Sequence, residues 1–303
     1  SRRMFKKILI PLDGSELGEL TLPCTEELAG KLDSQVDLIC VCEPAEHKYH
    51  HMAQLYIEKV AEEVRGRIKA SYAGETKPIQ VKPVVLSGKP ASEIIDYAEK
   101  NNIDLIVMTS HGRSGPKPWD LGSTVHKVIE RISKPILLVR ADSTNRKENK
   151  ESIFSNILVP LDDSENGEVV LPYIKELTNK LKSKVILLRV IASGYHVHTV
   201  GGLDYISLPE TQVERMKAEA SPYLTKISHE LESAGTAVSS EVRTGDAAEK
   251  ILKLADEKNA HLITMSTHGH SGIERWTLGS VTHKVLHNGK TSLLLVRAST
   301  TTV

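Results

Sequence analysis

Short apolar runs punctuate this chain: Lys7 to Leu12, Val36 to Cys42, Ile79 to Leu86, Asp104 to Thr109 and Ile136 to Arg140. Their length and content suit buried strands. Between them apolar residues return every three or four positions. Ile94, Ile95 and Ala98 share one face of a helix over Ser92 to Asn102, with Ser92 placed to cap its first turn. Strands alternating with helices imply parallel pairing through right-handed crossovers, so the pattern predicts a doubly wound sheet of about five strands. Pro23 falls inside the first helical pattern and either kinks that helix or marks its start.

The whole pattern then recurs. Lys7-Ile-Leu-Ile-Pro-Leu-Asp13-Gly-Ser15-Glu returns as Asn156-Ile-Leu-Val-Pro-Leu-Asp162-Asp-Ser164-Glu, 149 residues later, and Pro23 returns as Pro172. Met108-Thr-Ser-His-Gly matches Met265-Ser-Thr-His-Gly, and Trp119-Asp-Leu-Gly-Ser123 matches Trp276-Thr-Leu-Gly-Ser280, now 157 residues apart. The second copy therefore carries about eight extra residues mid-domain. Copies this long are too large for solenoid units, so the chain reads as a duplicated domain. The expected division is a domain over 1–141, a polar linker over 142–152 and a second domain over 153–303, each an α/β, Rossmann-like, five-stranded parallel sheet.

Composition narrows the function class. Lys and Arg number 39 against 39 Asp and Glu, so no basic field marks a nucleic-acid surface. No run approaches the roughly 18 apolar residues of a membrane span, and the start Ser1-Arg2-Arg3-Met4 lacks the apolar stretch of a secretion signal. The three cysteines, Cys24, Cys40 and Cys42, all lie in the first copy and form no disulfide framework. A cytoplasmic protein is expected, with neither nucleic acid nor membrane as partner.

Open parallel sheets bind ligands beyond the carboxyl ends of their strands, where strand order reverses. Two loops per copy end strands in that way. The first is Pro11-Leu12-Asp13, matched by Pro160-Leu161-Asp162; its carboxylate either accepts from a ligand or caps the following helix. The second runs from Ser110 to Gly122 and opens a helix at Ser123 and Thr124, matched by Gly279, Ser280 and Val281. Amides at a helix start lack intrahelical partners and carry the positive end of the dipole, which suits phosphate oxygens. No Walker sequence and no early Gly-x-Gly-x-x-Gly are present.

At these residues the chain resembles the universal stress protein family, whose nucleotide-binding members carry Gly, two residues, Gly, nine residues, Gly, then Ser or Thr. Gly112, residues 113–121, Gly122 and Ser123 fit that pattern, and so do Gly269, residues 270–278, Gly279 and Ser280. The leading Gly is Thr109 in one copy and Ser266 in the other. There a Cβ narrows ligand approach, while a hydroxyl offers a hydrogen bond. The resemblance implies that Asp13 and Asp162 hold the adenine or ribose side, that backbone at Val41 and Val190 lines the base pocket, and that Met108 and Met265 lie beside it. The glycine-rich loops, with His111 and His268 inside them, would surround the phosphates.

The expected ligand is therefore ATP or another adenine nucleotide, with Mg2+ as an accompanying ion left open. No committed nucleophile and base stand out, so no catalytic residue is named and slow ATP hydrolysis is the most that is expected. His47, His50 and His51, like His196 and His198, lack a four-ligand spacing, so no metal site is assigned. A nucleotide-independent interaction scaffold is the alternative, favoured by Thr109 and Ser266. Resemblance to dimeric relatives also implies that the final strands, Ile136 to Arg140 and Ser292 to Arg297, pair within one chain, with a homodimer left open. The segments after the second strand, Glu43 to Met52 and Ala192 to Pro209, are expected to overhang the site as unlike lids, the second loosened by Gly194, Gly201 and Gly202.

Overall fold

The structure, a computed structural model, describes residues 2–72, 78–110, 121–140, 151–233, 235–268 and 278–298. Two compact units emerge: Ser1–Ile153 with Lys290–Arg297, and Phe154–Gly289 with Ala298–Val303.

In the first unit the apolar runs become β1 (Lys7–Pro11), β2 (Gln35–Cys42), β3 (Val81–Ser87), β4 (Leu105–Thr109) and β5 (Ile136–Val139). They lie in the order β3-β2-β1-β4-β5 and every pair is parallel. The order reverses at β1, with Ile8 opposite Val36 on one side and Leu105 on the other. Ile8, Leu9 and Ile10 have no exposed surface because helices cover both faces of this central strand. Each such aliphatic side chain stabilises the fold by roughly 1.5–3 kcal/mol.

The helices are α1 (Leu22–Leu32), α2 (His50–Tyr72), α3 (Pro90–Lys100) and α4 (Ser123–Arg131). Pro23 sits in the first turn of α1, so it marks the helix start; Pro172 does the same in the second unit. Gly30 lets α1 approach α2, since a Cβ there would collide with the Tyr72 ring. Ser92 is not the cap of α3: Pro90 starts that helix two residues earlier and Lys89 holds the cap position without a side-chain bond.

The second unit repeats the order with β6 (Asn156–Pro160), β7 (Lys184–Ile191), β8 (Gly194–Thr199), β9 (Gly202–Ser207), β10 (Ala237–Thr244) and β11 (Leu262–Ser266). Its parallel sheet runs β10-β7-β6-β11, and again the first strand of the copy is the reversal point. Its helices are α5 (Glu165–Glu168), α6 (Leu171–Leu181), α7 (Glu210–Glu232), α8 (Ala247–Glu257) and α9 (Ser280–Asn288). No described helix is long and apolar enough to cross a membrane.

Two differences from the sequence pattern stand out. The segment after β7 is an antiparallel hairpin of β8 and β9, with Tyr195 opposite Ile206 and His196 opposite Tyr205. Gly194 is there for close packing and not for freedom, because a Cβ would meet the Ile206 carbonyl and the Tyr205 ring. The second difference concerns the last strand, β12 (Ser292–Val296). It belongs to the first unit, where it pairs antiparallel with β5 and sets Leu294 opposite Leu137. Five parallel strands thus describe the first unit before β12 is added. The second unit's own parallel sheet has four among the described residues. Arg140 N donates to Ser292 Oγ at 3.1 Å, and the Arg297 guanidinium donates to the carbonyls of Ile129 and Ile132 at the end of α4.

Candidate functional site

Both reversal points carry the same turn. β1 ends at Pro11, Leu12 N donates to Ile39 O at 2.8 Å, and Gly14 takes a left-handed φ of 83° that swings Asp13 over the strand end. Asp13 Oδ1 accepts from Ser15 N at 3.0 Å and from the Ser15 hydroxyl, whose oxygen accepts from Gly18 N at 3.1 Å. In the second unit Leu161 N donates to Leu188 O at 2.8 Å, Asp163 supplies the left-handed residue at φ 58°, and Asp162 Oδ1 holds the Ser164 amide and hydroxyl. Ser164 is the N-cap of α5 and accepts from Gly167 N at 3.0 Å. The capping reading of the aspartates is thus corrected: the serine hydroxyl takes the backbone amide, as the N-cap of α5 in the second unit, and aspartate orients the serine. Gly167 is small for a packing reason, since a Cβ would lie 2.6 Å from Asp162 Oδ1.

Across the reversal, β4 and β11 end in buried polar residues. Thr109 and Ser110 are buried, and Gly122 N donates to Ser110 O at 2.8 Å. The second unit repeats this with Ser266, Thr267 and His268 buried and Gly279 N donating to Thr267 O at 2.8 Å. His268 N donates to Ser266 Oγ at 3.3 Å, and His268 Nδ1 lies 3.0 Å from Thr267 Oγ1. That one backbone bond sets the start of α4 and of α9 beside the strand end. Neither helix has a side-chain cap bond at Gly122 or Gly279. Thr282 Oγ1 adds a bond to Ser266 O at 2.9 Å, fixing the first turn of α9 to β11.

These pieces enclose a cavity of about 280 Å3 in the second unit. Pro160, Leu161 and Asp162 enter from β6, Val190 from β7, Met265, Ser266 and His268 from β11 and its loop, and Gly279, Ser280 and Val281 from the start of α9. Gly269 lies outside the described residues, as do His111, Gly112, Trp119 and Trp276. In the first unit Pro11, Leu12 and Asp13 end β1, Val41 lies in β2, Met108 and Thr109 close β4, and Gly122, Ser123 and Thr124 open α4.

The cavity also uses residues the sequence reading passed over: Gly167, Leu188, Arg189, Ala247, Ile251 and Thr282. Ala247 and Ile251 stand four residues apart on one face of α8, a spacing that the sequence carries. Arg189 was visible as a lone cation inside an apolar strand run. No residue of the 192–209 segment lines the cavity among those described, so the hairpin is not a wall of this site.

Electrostatically the cavity is mixed. Arg189 Nη1 donates to Val190 O at 2.8 Å and its Nη2 stands 3.5 Å from Asp163 Oδ2. Burial first, then the bond from its hydroxyl to Glu168, raises Tyr223 above the ordinary phenol range, and the charges of Asp163 and Asp162 add to this. In the first unit burial, Glu19, Cys40 and Asp13 raise Tyr56 likewise. Both phenols stay protonated near the aspartates. Among the described residues no group of three or more His, Cys, Asp or Glu is placed to hold a metal ion. An apolar slot with a helix start at one end and polar groups on its rim has the chemistry that suits a small molecule carrying an anionic group.

The comparisons agree with this architecture. The model of the universal stress protein family matches residues 4–140 and again 154–297. A universal stress protein of Methanocaldococcus jannaschii is 31% identical over 144 residues, spanning 45% of this chain and 83% of its own. Another, YxiE of Bacillus subtilis, is 30% identical over 148 residues, spanning 45% of this chain and 100% of its own. The crystal structure of a universal stress protein from Archaeoglobus fulgidus superposes with a TM-score of 0.68 at 20% identity, covering 97% of this chain and 99% of that one, which fixes the fold. With the family pattern matched over both copies, the chain belongs to the universal stress protein family.

Proposed function

We propose that each copy binds an adenine nucleotide, with ATP the leading form, and that the chain works as a stress-response or signalling module and not as a fast enzyme. One observation carries this: the second unit gathers the Asp162 turn, the end of β11 and the uncapped start of α9 around one cavity. Leu188, Val190, Ile251 and Met265 give it apolar walls suited to a base. The amides of Ser280 and Val281 at the helix start are suited to phosphate oxygens. The first copy carries the same turn and the same helix start, so the reading extends to Asp13, Thr109, Gly122, Ser123 and Thr124, with His111 and Gly112 between them in sequence. Mg2+ would arrive with the phosphates, since the walls offer no carboxylate cluster of their own among the described residues.

Two further readings belong here. The copies are taken as domains over 1–141 and 153–303 with a linker between them, and their final strands as an intramolecular pair; the β5 to β12 ladder supports the pairing. Three cysteines outside any disulfide and a balanced charge support a cytoplasmic setting without nucleic acid as partner.

Mass spectrometry of small molecules released from the purified protein, followed by calorimetry with ATP, AMP and cyclic AMP, tests the proposal. Binding of at least one is expected, with Gly122→Val and Gly279→Val each removing one site. A Cβ at Gly279 already lies 3.2 Å from Thr267 O, so the larger side chain closes the helix start. No binding of any of the three at millimolar ligand overturns the reading and leaves a scaffold of the same fold.

A further inference from the structure

Among the positions lining the second unit's cavity, one exchanges a charged residue for an uncharged one between the copies. Arg189 lies on β7 between Leu188 and Val190, and the residue 149 positions earlier, between Ile39 and Val41, is Cys40. Cys40 is a buried thiol outside any disulfide. Arg189 lines the second unit's cavity with its side chain only 12% exposed.

A guanidinium has five N–H donors, and burying one without an acceptor is costly. Nη1 is spent on the Val190 carbonyl and Nη2 faces Asp163, but Nε is buried and finds no acceptor among the described residues. The strand order β7-β6-β11 places this cation at one end of the cavity and the start of α9 at the other, with Asp162 between them. Neighbouring strands lie about 4.8 Å apart, so the two ends are separated by roughly 10 Å, the span of a nucleoside monophosphate.

Two ligand chemistries answer a guanidinium: an anion or a neutral acceptor. Asp163 stands 3.5 Å from Nη2 and balances the charge, so the unmet need is for a hydrogen-bond acceptor and not for a second anion. With phosphate at the helix start, the group at the β7 end is the base, and the neutral acceptors of a purine are its ring nitrogens. We propose that Arg189 is a specificity-determining residue of the second site that donates to a ring nitrogen of the bound purine, a contact the first site lacks. The inference rests on nucleotide binding in the second copy.

The test uses the full chain titrated with ATP and with its 1-deaza, 3-deaza and 7-deaza analogues, each replacing one ring nitrogen by C–H. Wild type is compared with Arg189→Cys, which installs the first copy's residue, and with Arg189→Lys, which keeps the charge but loses the planar fork. Circular dichroism checks that each variant is folded. One deaza analogue should bind the second site about tenfold or more weakly than ATP in wild type, as for a hydrogen bond to a charged donor. Arg189→Cys should show the same loss for ATP and no further loss for that analogue. In a Gly279→Val background, Arg189→Cys should change nothing.

If ATP occupies two sites and Arg189→Cys leaves both affinities unchanged, or all three analogues lose affinity equally in wild type and variant, the assignment fails while nucleotide binding stands. If adenosine 3′,5′-bisphosphate gains affinity over AMP only when Arg189 is present, the residue reads an anion and the ring-nitrogen assignment is overturned. Absence of any ATP binding by folded wild type defeats the parent reading instead.

Discussion

At the residue scale the two Asp-x-Ser-x-x-Gly turns invite a direct comparison. A Cβ at Gly167 would stand 2.6 Å from Asp162 Oδ1, whereas one at Gly18 would stand 3.1 Å from Asp13 Oδ1. The first distance forces the carboxylate to move and the second asks only a small adjustment. Gly167→Ala is therefore expected to cost about 1–3 kcal/mol and Gly18→Ala less than about 1 kcal/mol, measured by urea denaturation, with Gly167→Ala also weakening the second site. Both aspartates were legible in the sequence because each follows an apolar strand run, but their task was not, since a carboxylate two residues before a serine looks like a cap until the geometry separates the roles. Arg189 was harder to see. A charged residue in an apolar run signals a special position, yet only the cavity shows which neighbours it meets. The first unit hides a similar case, where buried Asp37 accepts from Tyr97 OH at 2.8 Å and pairs with Lys7 Nζ at 3.3 Å. The second copy has Ile186 in place of that aspartate, and no ligand chemistry follows from the pair.

At the scale of elements, helix starts separate what spacing predicts from what geometry decides. Ser92 looked like the cap of α3 but lies within its first turn after Pro90, so Ser92→Ala should change stability by no more than about 0.5 kcal/mol. Asp246 does cap α8: its Oδ1 accepts from Glu249 N at 2.9 Å, and Lys284 Nζ lies 3.3 Å from Oδ2. That backbone bond first, then Lys284, holds its carboxyl below the ordinary value of 3.8. A lowered folded-state value stabilises above the unfolded one, so the contribution is complete above the ordinary aspartate range and fades as pH falls through the folded value. Asp246→Ala should cost about 1 kcal/mol at pH 7, and the gap between variant and wild type should close on acidification; denaturation at pH 7 and near pH 3 measures both. The hairpin of β8 and β9 was missed although its signal was present. Val200-Gly201-Gly202 between β-prone stretches is a turn sequence, but the glycines were read as freedom in a lid when they shape a two-stranded ribbon.

At the scale of the whole chain, the repeat, the doubly wound order and the reversal-point loops could all be read from offsets and apolar periodicity, because those follow from local pattern. The ownership of the last strand could not be read from local pattern, since only the family resemblance implies that Ser292 to Arg297 pairs with Ile136 to Arg140. In the structure β12 is part of the first unit, covering the edge of β5 with three residue pairs, and Arg297 satisfies the carbonyls of Ile129 and Ile132 where α4 ends. Burial lowers the Arg297 pKa from its ordinary value, and a guanidinium is not deprotonated in proteins, so these are charge-assisted bonds. The first copy should therefore not be whole without the last residues of the chain. Arg297→Ala leaves two buried carbonyls without their donor and is expected to cost about 1–3 kcal/mol, localised by hydrogen exchange to α4 and β5. Ending the chain at Gly289 goes further, because it strips β5 of its antiparallel neighbour and leaves an apolar edge, Ile136-Leu-Leu-Val139, open to pairing. The truncated protein should self-associate in sedimentation velocity while the full chain at the same concentration does not gain a larger species. Should the truncated chain keep wild-type exchange protection at α4 and β5 and sediment unchanged, β12 is dispensable to the first unit and the strand is an ornament of the second.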